Sequence, residues 1–149
     1  WEWKYRYRLW RPITAIRQVD SDWSSLLETP PFPSYTSGHS TFSGAAATIL
    51  TQLLGKEGVE FAIGSDGYPG MERSFKTFWE AAEEAGKSRI YGGIHFACDN
   101  RAGLNLGKEI ADSVMRSRLL PLVQDPTRPD RATSGDIPAP RRIPRGPEN

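Results

Sequence analysis

A mainly α fold is what this sequence predicts, and two stretches carry the prediction. Between residues 40 and 54, Phe42, Ala45, Ala46, Ile49, Leu50, Leu53 and Leu54 recur at helical spacing, and Gly55 stands where a C-cap belongs. From about Asp99 to Leu120 a second pattern runs through Ala102, Gly103, Leu106, Gly107, Ile110, Ala111, Val114 and Met115. Small residues at every fourth position in that stripe let a neighbouring helix approach closely.

The remaining elements follow in order. In residues 1–17, Trp1, Trp3, Tyr5, Tyr7 and Leu9 alternate with polar residues, which taken alone reads as a strand. A helix instead puts Trp3, Tyr7 and Trp10 on one face beside Lys4, Arg8 and Arg11. Lys4 and Arg11 are seven residues apart, so a strand would send them to opposite faces. A helix brings them to one face about 10 Å apart along its axis, within joint reach of one ligand. A helix ended at Arg11 by Pro12 is therefore the expectation, with most of its aromatics in the core. Residues 18–36 read as an irregular connection closing on Pro30-Pro31-Phe32-Pro33, and 56–71 as a loop or short hairpin. A helix is expected over 72–86 and another from near 88, interrupted at Gly92-Gly93. From Pro121 onward proline and arginine dominate and apolar periodicity vanishes, so 121–149 reads as an extended or disordered tail.

Composition narrows the function. The 149 residues suffice for one domain with a real core, and a net charge of +1 argues against nucleic acid as the main partner. Useful positive charge must then be local. Cys98 is the only cysteine, which excludes an internal disulfide framework. No apolar run approaches the roughly 20 residues of a membrane span. The opening Trp1-Glu2-Trp3-Lys4 has neither the charged nor the apolar region of a signal peptide, and suggests that further sequence lies upstream. A soluble protein is expected, with its compartment and any export left open.

Three separated segments hold the chemistry: Lys4 and Arg11-Pro12; Ser37-Gly38-His39 just ahead of a helix; and Ser88-Arg89, His95 and Asp99. Each alone has an ordinary explanation as surface charge, a cap or a core hydrogen bond. In this order and spacing they resemble the three-part signature shared by vanadium haloperoxidases and type 2 phosphatidic acid phosphatases. The resemblance covers about residues 1–118 and implies a helical bundle of that family's type, with residues 1–120 a catalytic part of a larger domain. It further implies vanadate as cofactor, with phosphate able to take the same place. His95 would be the protein ligand of vanadium, or the nucleophile of a phosphatase. His39 would be the acid–base residue, and Asp99 the carboxylate that fixes the His95 tautomer. Lys4, Arg11, Ser37, Gly38 and Arg89 would bind the oxyanion, and Lys4 would also polarise bound peroxide.

Physical chemistry agrees with that set. A buried tetrahedral oxyanion needs matched cations and many donors, because unpaired buried charge is costly. The two arginines offer planar forks, Ser37 a hydroxyl, and Gly38 an amide at a helix N-terminus.

Trp1-Glu2-Trp3-Lys4, Leu9-Trp10-Arg11-Pro12 and Pro31-Phe32-Pro33-Ser34-Tyr35 look more like the haloperoxidase branch, as does the lack of membrane spans. Trp1 and Phe32 stand where chloroperoxidases carry aromatic residues and bromoperoxidases polar ones, and are expected to line a halide pocket. The expected reaction oxidises halide with hydrogen peroxide to hypohalous acid, which halogenates small organic molecules. A soluble acid phosphatase working through phosphohistidine and a non-catalytic anion-binding module are the other readings. Two departures from the family stand out. Thr36 replaces the usual proline before Ser-Gly-His, which is expected to loosen that turn. The family's upstream helices, with a carboxylate that pairs with the Arg89 equivalent, have no counterpart ahead of Trp1. An upstream helical segment or another chain would complete the pocket, and a homo-oligomer is left open.

Overall fold

A computed structural model of the chain describes residues 1–54 and 59–118. The Gly55 cap, the end of the last helix beyond Arg118 and the tail over 121–149 lie outside the described residues. Five helices and one hairpin follow in order: α1 (Glu2–Tyr7), α2 (Pro12–Ile16), α3 (Gly38–Leu54), β1 (Phe61–Ser65), β2 (Tyr68–Phe75), α4 (Phe78–Tyr91) and α5 (Ala97–Ser117). The mainly α expectation holds. No helix of the described residues is long and apolar enough to cross a membrane.

The core is the crossing of α3 and α5, which lie side by side in the same direction. A Cβ at Gly103 would meet the Ser37 carbonyl at 2.7 Å, and one at Gly107 would meet the Thr41 carbonyl at 2.2 Å. Further along, Gln52 donates to Asp112 at 2.6 Å. Gly103, Gly107 and Ala111 are buried, as the small-residue stripe predicted, but Ile110 is largely exposed. Because α3 sits directly on the glycines, it covers only a narrow strip of α5, and the wider stripe drawn from the sequence is not filled. Both N-termini end together, with the Ser37 amide donating to the Asp99 carbonyl at 3.2 Å. Helix α4 runs the other way, its Gly86 close against Asn100 and Ser40, and so delivers Arg89 to the same end.

The first block corrects the sequence reading. It is not one helix to Arg11. Helix α1 stops at Tyr7 and Arg8 takes a left-handed turn at φ 47°. Arg11 is extended (φ −84°, ψ 157°) at the N-cap of α2, with Pro12 starting that helix rather than ending one. Proline suits a first helical turn, whose amide has no partner in any case. Lys4 and Arg11 converge through this reversal of the chain, not along one helical face. Nor are the aromatics core: Lys4 is the buried residue of α1, while Trp1, Tyr5, Tyr7 and Trp10 are each more than half exposed and Trp3 is 37% exposed. A six-residue helix presents one narrow inner face, and Lys4 takes it. The aromatics stack on one another and on Tyr35 instead.

Two other boundaries move. The hairpin spans Phe61–Phe75, with Asp66-Gly67 between the paired Ser65 and Tyr68, a sequence suited to a tight hairpin turn. The expected helices over 72–86 and from near 88 are a single helix, α4. The Thr77 hydroxyl caps it by accepting from the Glu80 amide at 3.0 Å. Gly86, where the first of those helices was expected to end, serves close packing inside α4.

Gly107→Ala tests the crossing. On an exposed helix the exchange would stabilise by about 1 kcal/mol. Here the new methyl would meet the Thr41 carbonyl and the Ala45 amide at 2.2 and 2.7 Å, both backbone. A net loss of about 1–3 kcal/mol is expected from the urea midpoint of the full-length protein. An unchanged midpoint would contradict the close approach.

Candidate active site

The three motif segments meet at the shared end of α3, α4 and α5. The Lys4 ammonium donates to the carbonyls of Pro33 (3.1 Å), Ser34 (3.1 Å) and Thr36 (2.7 Å). All three of its protons are thus engaged, and they pin the turn that Thr36 was expected to loosen. Burial and the neighbouring Arg11 charge lower the Lys4 pKa to about 8, although Asp99 acts against them.

Arg11 reaches deeper. Its Nε donates to the Phe32 carbonyl at 2.9 Å and its Nη1 to the Ile94 carbonyl at 2.7 Å, while Nη1 also lies 3.1 Å from His95 Nε2. Arg11 is 5% exposed, and its Nη2 is buried without a hydrogen-bond partner. The Phe32 ring lies under both cations, 5.2 Å from Lys4 Nζ and 5.1 Å from Arg11 Cζ. Trp1 meets Phe32 edge-on, with ring centres 5.0 Å apart.

His95 precedes α5, and Asp99 sits in that helix's first turn. The carboxylate turns back to accept from His95 Nδ1 at 3.0 Å and from the Phe96 amide at 3.1 Å. Ser34, which sequence reasoning missed, donates to the same oxygen, Asp99 Oδ2. Burial favours the neutral Asp99 acid, but these three donors outweigh it and hold its pKa below the ordinary range. A charged carboxylate accepts only, so the Nδ1 proton stays on the ring and the Nε2 lone pair is left bare. Burial, with help from Arg11 and Lys4, lowers the His95 pKa despite Asp99.

His39 is exposed, and its Nε2 lies 3.4 Å from Arg89 Nη1. Partial burial and then the Arg89 and His95 charges depress its pKa. Arg89 is steadied by its Nε donating to the Ser88 hydroxyl at 3.0 Å, and no carboxylate pairs with it among the described residues. Ser37 is fully buried, its hydroxyl accepting from the Ser40 amide at 3.4 Å.

A cavity of about 530 Å³ joins most of this set. Lys4, Arg11, Gly38, His39 and His95 lie in its polar lining together with Glu2, Thr36 and Thr41, and Trp1, Phe32, Phe42 and Leu106 form much of its apolar lining. Ser37 and Arg89 are not part of that lining. A larger cavity of about 860 Å³, between the hairpin and α4, holds none of the predicted site residues.

The residues fit a buried tetrahedral oxyanion. Arg11 Nη2 is an orphaned cationic donor, and such a group is costly to bury unpaired. A Cβ built at Gly38 meets nothing within 4 Å, so there is open space beside the first residue of a 17-residue helix, an end that favours anions. Among the described residues no three His, Cys, Asp or Glu side chains gather as a metal cage. An oxyanion held by one histidine and a shell of donors needs no such cage.

A family model described as the VCPO second helical-bundle domain matches residues 1–120. The chain is 29% identical over 126 residues to a vanadium-dependent bromoperoxidase of Ascophyllum nodosum, covering 73% of this chain and 22% of that protein. It is 24% identical over 158 residues to the vanadium chloroperoxidase of Curvularia inaequalis, covering 71% and 26%. The crystal structure of a bacterial vanadium-dependent iodoperoxidase superposes with a TM-score of 0.72 at 44% identity, covering 78% of this chain and 28% of that one. A bacterial vanadium-dependent chloroperoxidase shares the fold, with a TM-score of 0.64 at 22% identity over 75% and 30%. The chain spans about a quarter of the length of the curated relatives it matches. It belongs to the VCPO second helical-bundle domain family, the vanadium haloperoxidase resemblance that its three motif segments carry.

Proposed function

We propose that the cavity holds vanadate with His95 Nε2 as its protein ligand, and that the protein containing this chain is a vanadium-dependent haloperoxidase. Arg11 supports this reading most: its buried Nη2 lacks a hydrogen-bond partner, and its Nη1 lies 3.1 Å from His95 Nε2. Bound vanadate would supply a Lewis acid that activates hydrogen peroxide without changing oxidation state. Overall, halide, hydrogen peroxide and one proton would give hypohalous acid and water, the halide losing the two electrons that break the O–O bond. The named relatives are all haloperoxidases and give the phosphatase alternative no added support.

The chain's own residues have distinct parts. His95 offers Nε2 while Asp99 keeps the proton on Nδ1. Arg11 turns a guanidinium edge onto the anion, and Gly38 its amide. Lys4 exchanges one of its three carbonyl acceptors for the oxyanion or for peroxide, and Arg89 and Ser37 close the far side. His39 moves the peroxide proton at Nε2, which requires Arg89 to let go of that atom and turn to the anion. Trp1 and Phe32 line the halide side. An upstream segment or a second chain supplies the rest of the pocket. Phosphate and sulfate, of the same shape, take the same donors.

The test is iodide and bromide oxidation by the full-length protein, stripped of vanadate and then reconstituted. Iodide comes first because the 44%-identical structure is an iodoperoxidase. Peroxide- and vanadate-dependent oxidation is expected. Hydrolysis of p-nitrophenyl phosphate, with no halide oxidation at any pH, would overturn the reading.

Lys4 adds a pH dependence to anion binding. A lysine with a pKa near 8 is charged below that value and neutral above it. Sulfate keeps its charge across this range, so Lys4 is the group whose charge changes near pH 8. Calorimetric sulfate affinity of the vanadate-free protein should therefore hold steady up to about pH 8 and then fall, by at most about tenfold per unit. A flat affinity to about pH 9.5 would remove Lys4 from the anion site.

A further inference from the structure

Ser34 is fully buried and tied on three sides. Its amide donates to the Leu9 carbonyl at 2.8 Å, its carbonyl accepts from Lys4 Nζ at 3.1 Å, and its hydroxyl donates to Asp99 Oδ2. The same hydroxyl oxygen lies 3.3 Å from His95 Nδ1. One residue therefore joins the segment after Leu9, the α1 lysine and the α5 carboxylate–histidine pair.

The direction of the Ser34 proton matters. A hydroxyl can donate to only one acceptor. Were it given to His95 Nδ1, the ring would carry its own proton on Nε2, and the atom facing the cavity could not bind an electrophile. Asp99 Oδ2 takes the hydroxyl proton instead. It also takes the Phe96 amide at 3.1 Å and the ring Nδ1–H at 3.0 Å, so three donors from three residues fix one oxygen. His95 Nε2 then accepts from Arg11 Nη1 at 3.1 Å, as a bare lone pair does.

We infer that Ser34 is a positioning residue of this site, whose hydroxyl locks the Asp99 carboxylate in the orientation that keeps His95 protonated on Nδ1 and its Nε2 aimed into the cavity. It rests on the reading of His95 as the oxyanion's ligand, but its first consequence is visible with no anion bound. Without the hydroxyl, Oδ2 loses one of its fixed partners and the carboxylate can swing between its oxygens. The ring then samples both tautomers. Partners of this kind, one step removed from a metal ligand, typically contribute 10–100-fold to affinity.

The experiment uses Ser34→Ala in the full-length protein with ring-¹⁵N-labelled histidine. The His95 signals are assigned by their loss in His95→Gln. The vanadate-free wild type should show one ring form, protonated on Nδ1 and bare on Nε2. Ser34→Ala should add a fraction of the opposite tautomer and weaken vanadate binding by about 10–100-fold. Unchanged ring shifts in a folded Ser34→Ala protein overturn the inference, even if affinity falls, because the serine would then act by packing alone. Should that variant not fold, the wild-type spectrum decides, and a ring protonated on Nε2 overturns the inference. Failure of the haloperoxidase reading looks different: vanadate would bind His95→Gln as well as wild type, whatever the tautomer.

Discussion

His95→Ala is expected to abolish vanadate binding by the full-length protein while leaving its helical content unchanged. The imidazole is 6% exposed and precedes α5 rather than lying within it, so its removal breaks no helical hydrogen bond. Its loss removes the bare Nε2, the lone pair that Asp99 and Ser34 are arranged to present. Removing a supporting partner of a metal ligand typically costs 10–100-fold, so removing the ligand itself should cost more than about a hundredfold. The fold pays a smaller penalty. Asp99 keeps Ser34 and Phe96 as donors but loses Nδ1–H, and Arg11 Nη1 keeps the Ile94 carbonyl. A stability loss of about 1–3 kcal/mol follows from the two buried hydrogen bonds lost with the ring, because both partners keep other contacts. Circular dichroism and vanadate titration on the same sample check both halves. Wild-type vanadate affinity in this variant would sink the assignment of His95.

His39→Ala should separate binding from turnover. Among the described residues the hydrogen-bonding contact of His39 is with Arg89 Nη1 at 3.4 Å, not with His95. Vanadate should therefore stay bound while peroxide-dependent halide oxidation falls by about two to four orders of magnitude, the usual loss for a general acid–base residue. The pH profile follows from the direction of the His39 shift. Burial, Arg89 and His95 place its pKa below the ordinary 6.5, so the ring remains a base to lower pH than a free histidine. A bound oxyanion beside it adds negative charge and moves the value back up. With peroxide limiting, oxidation should fall only as pH drops through the pKa of the anion-bound ring, because a protonated His39 cannot take the peroxide proton. In a phosphatase the protonated ring assists the leaving group, and turnover would rise toward acid. Halide oxidation that rises with acid and survives His39→Ala would contradict the role given to His39.

The sequence carried the site better than it carried the backbone beneath it. Ser37-Gly38-His39 and His95 with Asp99 were legible because local spacing controls them: one sits at a helix start, and the other places a carboxylate within reach of a ring four residues back. Lys4 and Arg11 were legible as partners for the wrong reason. Their seven-residue spacing suits a helical face, but the chain turns at Arg8, and only tertiary contacts to Phe32, Ile94 and the 33–36 carbonyls bring the two together. Ser34 was missed because a serine among prolines looks like turn chemistry, and nothing local shows that an aspartate 65 residues away will receive its proton. The aromatics of α1 misled because periodicity reports which face is apolar, not whether anything covers it. Gly86 and Gly107 give the same lesson in opposite senses. Both permit close helix contact, but only Gly107 lay in a stripe regular enough to read.

Diffraction from crystals of the full-length protein soaked with vanadate bears most directly on the oxyanion site. The proposed cage predicts density within bonding distance of His95 Nε2, with Arg11 Nη2 and the Gly38 amide turned onto its oxygens and Arg89 released from His39. Phosphate or sulfate soaked in its place should occupy the same volume between Lys4, Arg11, Arg89 and Gly38. Anion density confined to the arginine-rich residues beyond 120, with Arg11 Nη2 still unpartnered beside His95, would contradict it.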